Sequence, residues 1–212
     1  LAWYFEGIKK HSARVISILG IVLTSILFAN FLLNADQNFN QLTVIEQSAW
    51  IPFFNIHYQL ALDNLSTLLL VLTLFLALIC ILVSWQEIQS KAGFYYFNLL
   101  ASIAGIIGVF SAIDMFLFFF FWEVMLLPMT ALIAFWGHEN REFAALKFFI
   151  FTQVSSLLML VAIIATAYFH LQFTGIISFN YQEWQVLPIP LEISQWLMFG
   201  FFIAFAVKLP SV

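Results

Sequence analysis

Six long apolar runs divide the chain, at residues 15–33, 60–85, 94–113, 115–136, 143–169 and 195–212, with short polar stretches between them. A helix rises about 1.5 Å per residue, so about twenty apolar residues cross the hydrocarbon core of a bilayer. The runs are of that length, and the pattern predicts an all-α protein: a polytopic transmembrane helix bundle with about six spans. Residues 1–14 differ. Trp3, Tyr4 and Phe5 stand close to Lys9, Lys10 and Arg14, which reads as the end of a preceding helix followed by a basic cytoplasmic loop. The apolar region and cleavage site of a signal peptide are missing from them.

The polar stretches carry their own information. Residues 34–59 hold Asp36 and Glu46, with a break at Pro52, and Asp63 falls in the first turn of the second run, where a carboxylate complements a helix N-terminus. Ala101, Gly105 and Gly108 form a small-residue stripe on the third run, a pattern that lets helices pack closely. Asp114 marks a tight turn into the fourth run, and residues 170–194 form a polar loop with Glu183, Glu192, Pro188 and Pro190. Lys9, Lys10, Arg14, Lys91, Arg141 and Lys147 all fall on alternate connections, while 34–59, the turn near 114 and 170–194 contain no Lys or Arg. The basic set is therefore cytoplasmic. Trp3, Trp50, Trp85, Trp136, Trp184 and Trp196 lie near run ends or in loops, as an interfacial belt requires, and Trp122 is the exception.

Composition agrees: 64% of the 212 residues are hydrophobic and 8% charged, with mean hydropathy +1.02, which excludes an ordinary soluble domain. A net charge of −4 is spread over loops on two sides of a membrane, and no basic patch suggests nucleic acid. Cys80 is the sole cysteine, so there is no disulfide framework and no CxxC site, and it reads as a small core residue. The chain begins at Leu1 and stops at Lys-Leu-Pro-Ser-Val inside an apolar run, which predicts a piece of a longer protein.

Candidate chemistry centres on Glu123, the one charge within the fourth run. A carboxylate at mid-membrane costs about 2.5 to 3.5 kcal/mol on insertion scales, so it must face the bundle interior, find a partner or hold a proton. Pro128 has no N–H for the carbonyl of Val124, which loosens the helix one residue from the acid. Lys208 is the second deep charge, about thirteen residues into the sixth run and so about 20 Å along it. Glu123 and Lys208 lie on helices running the same way. At about 4 Å and an effective dielectric near 20 they would attract by roughly 4 kcal/mol. The pair reads either as a proton-transfer site or as a static bridge between helices. Lys147, in the first turn of the fifth run, suits an interfacial snorkelling role or a place on a proton path. Gln153, Ser155 and Ser156 suit interhelical hydrogen bonds. His11, His57, His138 and His170 lie in loops or at run ends, and His138 is the best placed of them for cytoplasmic proton entry.

Three segments resemble a known family. They are Ala-Ile-Asp-Met-Phe-Leu-Phe-Phe-Phe-Phe-Trp-Glu-Val-Met-Leu-Leu-Pro-Met (112–129), Leu-Lys-Phe-Phe-Ile-Phe-Thr-Gln (146–153) and Gly-Phe-Phe-Ile-Ala-Phe-Ala-Val-Lys-Leu-Pro (200–210). They are similar to the antiporter-like membrane subunits, chain M, of bacterial NADH-quinone oxidoreductase, respiratory complex I. The resemblance runs from about residue 50 onward and covers the N-terminal half of such a subunit. It implies the antiporter-like subunit fold in a multi-pass protein of the bacterial inner membrane, with protons as the transported species. It also implies that Glu123 and Lys208 form the proton-channel pair. The chain would contribute to the oxidoreductase as a translocating subunit without redox chemistry of its own. NADH, FMN, iron–sulfur clusters and quinone would bind in partner subunits, and the other membrane subunits of the complex and the lipid bilayer would be its neighbours. A sodium/proton antiporter subunit of the same fold and a membrane anchor with a static ion pair are the alternatives.

Overall fold

A computed structural model describes residues 12–34 and 42–209. Lys9, Lys10, His11, Asp36 and Pro210, and the reading of residues 1–11 as a helix end and loop, lie outside the described residues. Among the described residues six helices long and apolar enough to cross a membrane follow one another. They are α1 (Ser12–Asn34), α2 (Asn64–Glu87), α3 (Ala92–Ser111), a fourth span made of α4 (Met115–Val124) and α5 (Leu126–Trp136), α6 (Arg141–Thr174) and α8 (Leu191–Lys208). A single-turn helix α7 (Tyr181–Trp184) lies in the loop before α8.

Several boundaries differ from the sequence reading, each for a local reason. Arg14 lies within the first helix, Ser12–Asn34, rather than in a loop. Its guanidinium donates from Nη2 to the Ile88 carbonyl at 2.6 Å and lies 5.7 Å from the Trp85 ring. The polar stretch before the second span holds a β-hairpin, β1 (Thr43–Ile51) paired antiparallel with β2 (Ile56–Leu62). Pro52 opens the connecting 3₁₀ turn, and Asn55, at φ 53°, closes it by donating its N–H to the Pro52 carbonyl. Residues 60–62, read as helix, therefore belong to β2. The second helix begins one residue after Asp63, whose carboxylate accepts the Ser66 N–H while the Ser66 hydroxyl accepts the Asp63 N–H. That reciprocal capping box satisfies two donors a helix start leaves open. The fifth span runs to Thr174, where Gly175 at φ 78° ends it in the left-handed conformation.

The sixth span starts at Leu191 rather than near 195, because Pro190 leads into the helix. Lys208 is its last residue, because the helix ends there. Leu209 turns extended, at φ −74° and ψ 136°, as the residue before a proline must.

The polar ends of the bundle gather as the charge pattern predicts. At one end the hairpin, the Asp114 turn and the loop after α6 lock together. The His57 N–H donates to Asp114 Oδ2 at 3.0 Å, Asn55 Nδ2 to the Ile177 carbonyl at 2.8 Å, and the Met115 N–H to the Phe179 carbonyl at 2.8 Å. At the other end Arg14 meets Ile88, Lys91 lies 4.8 Å from the Phe135 ring, and Trp136 Nε1 donates to the Ser90 carbonyl at 3.2 Å. The connections without Lys or Arg thus share one face and the basic ones the other.

Two apolar cores lie between these faces. One joins α1, α2 and α3 through Ile21, Ile81, Tyr96 and Ile103; the other joins α4, α6 and α8 through Trp122, Met159, Ile163 and Ala204. Gly105 and Gly108 of the small-residue stripe face α4 and the α4–α5 junction, where an added Cβ would come within 2.8 Å of Met125 Cβ and 2.3 Å of the Phe121 ring. Cys80, read as a core residue, is instead exposed on α2. Its helix is apolar on every side, and an apolar face turned to lipid looks the same in sequence as one turned to protein.

Candidate functional site

Glu123 lies two residues before the point where the fourth span breaks. Helical hydrogen bonding falters at Met125, whose N–H reaches the Phe121 carbonyl at 3.3 Å, and the Met129 N–H reaches the Met125 carbonyl at the same distance. Pro128 removes the donor that would serve Val124 and crowds its carbonyl, so the loosening follows from the sequence. The side-chain oxygen Oε1 of Glu123 is buried without a hydrogen-bond partner.

Lys208 approaches from α8. That helix packs along α6 and reaches α4 through side chains: Phe205 makes edge contacts with Phe118 at 6.4 Å and with Trp122 at 5.5 Å. The Lys208 ammonium lies 5.0 Å from the centre of the Trp122 ring and 6.0 Å from that of Phe148, and it too is buried without a hydrogen-bond partner. A cation at a helix C-terminus is favoured by the carbonyls left open there.

Among the described residues five buried side-chain polar atoms have no hydrogen-bond partner, and Trp122 Nε1, Glu123 Oε1 and Lys208 Nζ are three of them. Each such group costs about 1 to 3 kcal/mol, more when charged, so folds rarely collect them without a use. Glu123 and Lys208 do not form the contact ion pair that the sequence suggests. Among the described residues the pair within 4.0 Å is His170 with Glu183, at 3.3 Å. Beside the two charges the rings of Phe118 and Trp122 on α4 meet that of Phe205 on α8.

The other candidates lie apart. Lys147 is on an exposed face of α6 with its ammonium 5.8 Å from the Phe151 ring, and His138 is exposed in the turn between α5 and α6. His170 sits in the last turns of α6, where Nδ1 meets the Ile176 carbonyl at 2.7 Å. Ser155 and Ser156 donate to carbonyls of their own helix, Thr152 and Gln153, rather than across helices. Among the described residues no three His, Cys, Asp or Glu side chains converge as metal ligands would. Sequence reasoning left Trp122 and Phe148 out of the site. The one available signal was Trp122 standing outside the interfacial belt.

The membrane domain described as "NADH:quinone oxidoreductase/Mrp antiporter, TM" matches residues 112–212. Over the whole chain, identity to NADH-quinone oxidoreductase subunit M of Escherichia coli (strain K12) is 45%, covering 44% of that protein. The whole chain is thus similar to subunit M proteins of NADH-quinone oxidoreductase. It spans less than half the length of the relative it matches. Among solved structures, respiratory complex I from Thermus thermophilus with bound NADH contains a chain that superposes with TM-score 0.78 at 26% identity, over 93% of this chain and 40% of that one. The Mrp complex from Dietzia sp. DQ12-45-1b superposes with TM-score 0.74 at 18% identity, over 99% of this chain and 23% of that one, which shows a shared fold. Six apolar spans among the described residues and whole-chain similarity to subunit M make this a multi-pass protein of the bacterial inner membrane.

Proposed function

We propose that this chain translocates protons as part of NADH-quinone oxidoreductase, with Glu123 and Lys208 as the titrating pair. The observation that carries the reading is the collection of unpartnered polar atoms at Glu123, Lys208 and Trp122, on helices that meet inside an apolar core. At an effective dielectric near 20, opposite unit charges attract by roughly 4 kcal/mol at about 4 Å and roughly 2 kcal/mol at about 8 Å. Closing or opening the gap is worth about 2 kcal/mol, close to the 2.3 kcal/mol or so of moving one charge through 100 mV. Approach favours the ion pair, and separation favours a proton held on the Glu123 carboxyl. The loosened backbone at Met125 and the helix end at Lys208 are where such a change of spacing needs least distortion.

In this reading NADH, FMN, iron–sulfur clusters and quinone are bound by partner subunits, the other membrane subunits of the complex flank the bundle, and lipid covers its exposed apolar faces. Lys147 and His138, both at the basic face, are placed to deliver protons from the cytoplasmic side. The fold shared with the Mrp complex supports a second reading as a cation/proton antiporter subunit, which co-purification of the full-length protein with Mrp-type rather than oxidoreductase subunits would establish. The lack of a contact ion pair weighs against a static clamp.

The test uses the full-length protein in its complex and reads protons translocated per electron pair, normalised to assembled complex. Glu123→Gln keeps size and loses the proton, and pumping is expected to stop. Glu123→Asp keeps the acid and is expected to retain part of it. The double variant Glu123→Gln with Lys208→Met removes both charges together; it is expected to assemble and not pump. Parent-like pumping by the assembled double variant would overturn the reading.

A further inference from the structure

Trp122 is 6% exposed, in the middle of a span, among tryptophans that otherwise favour span ends and loops. Phe118 lies against it at 5.9 Å and Phe205 edge-on at 5.5 Å, so the indole has little freedom to turn. The Lys208 ammonium, 5.0 Å from the centre of this ring, has no hydrogen-bond acceptor and is not within 4.0 Å of the Glu123 carboxylate. An aromatic face attracts a cation through its quadrupole, indole most strongly, and more so where water is excluded.

We propose that Trp122 is a positioning residue whose indole face seats the charged Lys208 and holds it out of contact with Glu123. The inference rests on the reading of Glu123 and Lys208 as the titrating pair. Ring and carboxylate compete for one ammonium. While the ring holds it, Lys208 stays charged without requiring Glu123 to be ionised, and the acid is free to take a proton. The charged groups on the elements around Lys208 are few. Glu123 lies on α4, Lys147 of α6 directs its ammonium to Phe151, and Glu192 lies at the opposite end of α8. Phe148 supplies a second, more distant ring at 6.0 Å.

Substituting fluorinated tryptophans at position 122 of the full-length protein tests this within the assembled complex. Each added fluorine weakens the ring's quadrupole while nearly keeping its shape. The readout is the pH profile of protons translocated per electron pair. Because the seat favours the ammonium over the neutral amine, weakening it brings the alkaline loss of pumping to lower pH. The expected shift is graded with fluorine number and reaches about one pH unit for Trp122→Leu, which has no π-face. Profiles that coincide across the fluorinated series, or that drop together without grading, overturn the seat. Lys208→Met, measured alongside, separates the two failures. If it pumps like the parent, the reading of the pair fails. If it stops pumping while fluorination leaves the profile in place, the seat alone fails.

Discussion

Asp63 and Asp114 both cap helices at the end of the bundle that lacks Lys and Arg, and their surroundings push them in opposite directions. The Ser66 backbone N–H, joined by the Ser66 hydroxyl, draws the Asp63 carboxyl down from its ordinary value. Asp114 is 1% exposed, and burial pushes its carboxyl up against the opposing N–H groups of His57, Leu117 and Phe116. A depressed carboxylate contributes stability above its unfolded value and loses it as pH falls; a raised one contributes below its unfolded value and loses it as pH rises. Asp63→Ala is therefore expected to destabilise the fold, by about 1 kcal/mol for a lost cap, and to lower the thermal midpoint more at neutral than at acid pH. Asp114→Asn keeps an acceptor for the helix donors but turns an amide toward the His57 N–H. Its penalty is expected to shrink as pH rises. Thermal unfolding of the solubilised protein at several pH values checks both slopes, and equal slopes would show that neither cap titrates as described.

At the scale of the element, the broken fourth span depends on glycines in its neighbour. Gly105 lets α3 approach the α4–α5 junction, with an added Cβ only 2.8 Å from Met125 Cβ. A β-carbon of Met125 cannot swing aside as a side-chain end would, so Gly105→Ala must shift backbone next to Glu123. Gly200 plays the same part between α8 and α6, where a Cβ would meet Ala162 Cβ at 2.9 Å and the Leu158 carbonyl at 3.0 Å. Overpacking of this kind costs about 1 to 3 kcal/mol. Both Ala variants are expected to lower the yield of assembled complex, whereas Gly20→Ala, with open space around it, is expected to leave yield unchanged. Quantifying assembled complex by native gel electrophoresis distinguishes these outcomes.

For the whole molecule, the helices alternate in direction between a basic face and a face that lacks Lys and Arg. Cysteines placed at Ser90 and at Gln182, both exposed, should be labelled by an impermeant reagent from opposite sides of sealed, oriented vesicles. The Ser90 site should react from the cytoplasmic side. Labelling of both from one side would break the parity of spans between them and with it the common direction of the Glu123 and Lys208 helices.

The spans, the gathering of basic connections at one end of the bundle and the two charges carried on span helices were legible in the sequence because hydropathy, the Lys/Arg bias and ionisable groups within apolar runs are each set by the chain's exchange with lipid and water. Those are properties of single segments, and they need no knowledge of neighbours. The hairpin was hidden because residues 60–62 are apolar whether they are buried in a strand or in a helix, and only pairing with β1 decides between the two. Whether Cys80 faced the core or lipid was undetermined for the same reason. Glu123 and Lys208 were readable as charges but not as a spacing. That spacing depends on how α4 and α8 pack, where Phe118 and Trp122 meet Phe205, and on where the last helix ends. Side chains from segments more than eighty residues apart in sequence meet there, and packing of that range is decided by the tertiary structure alone.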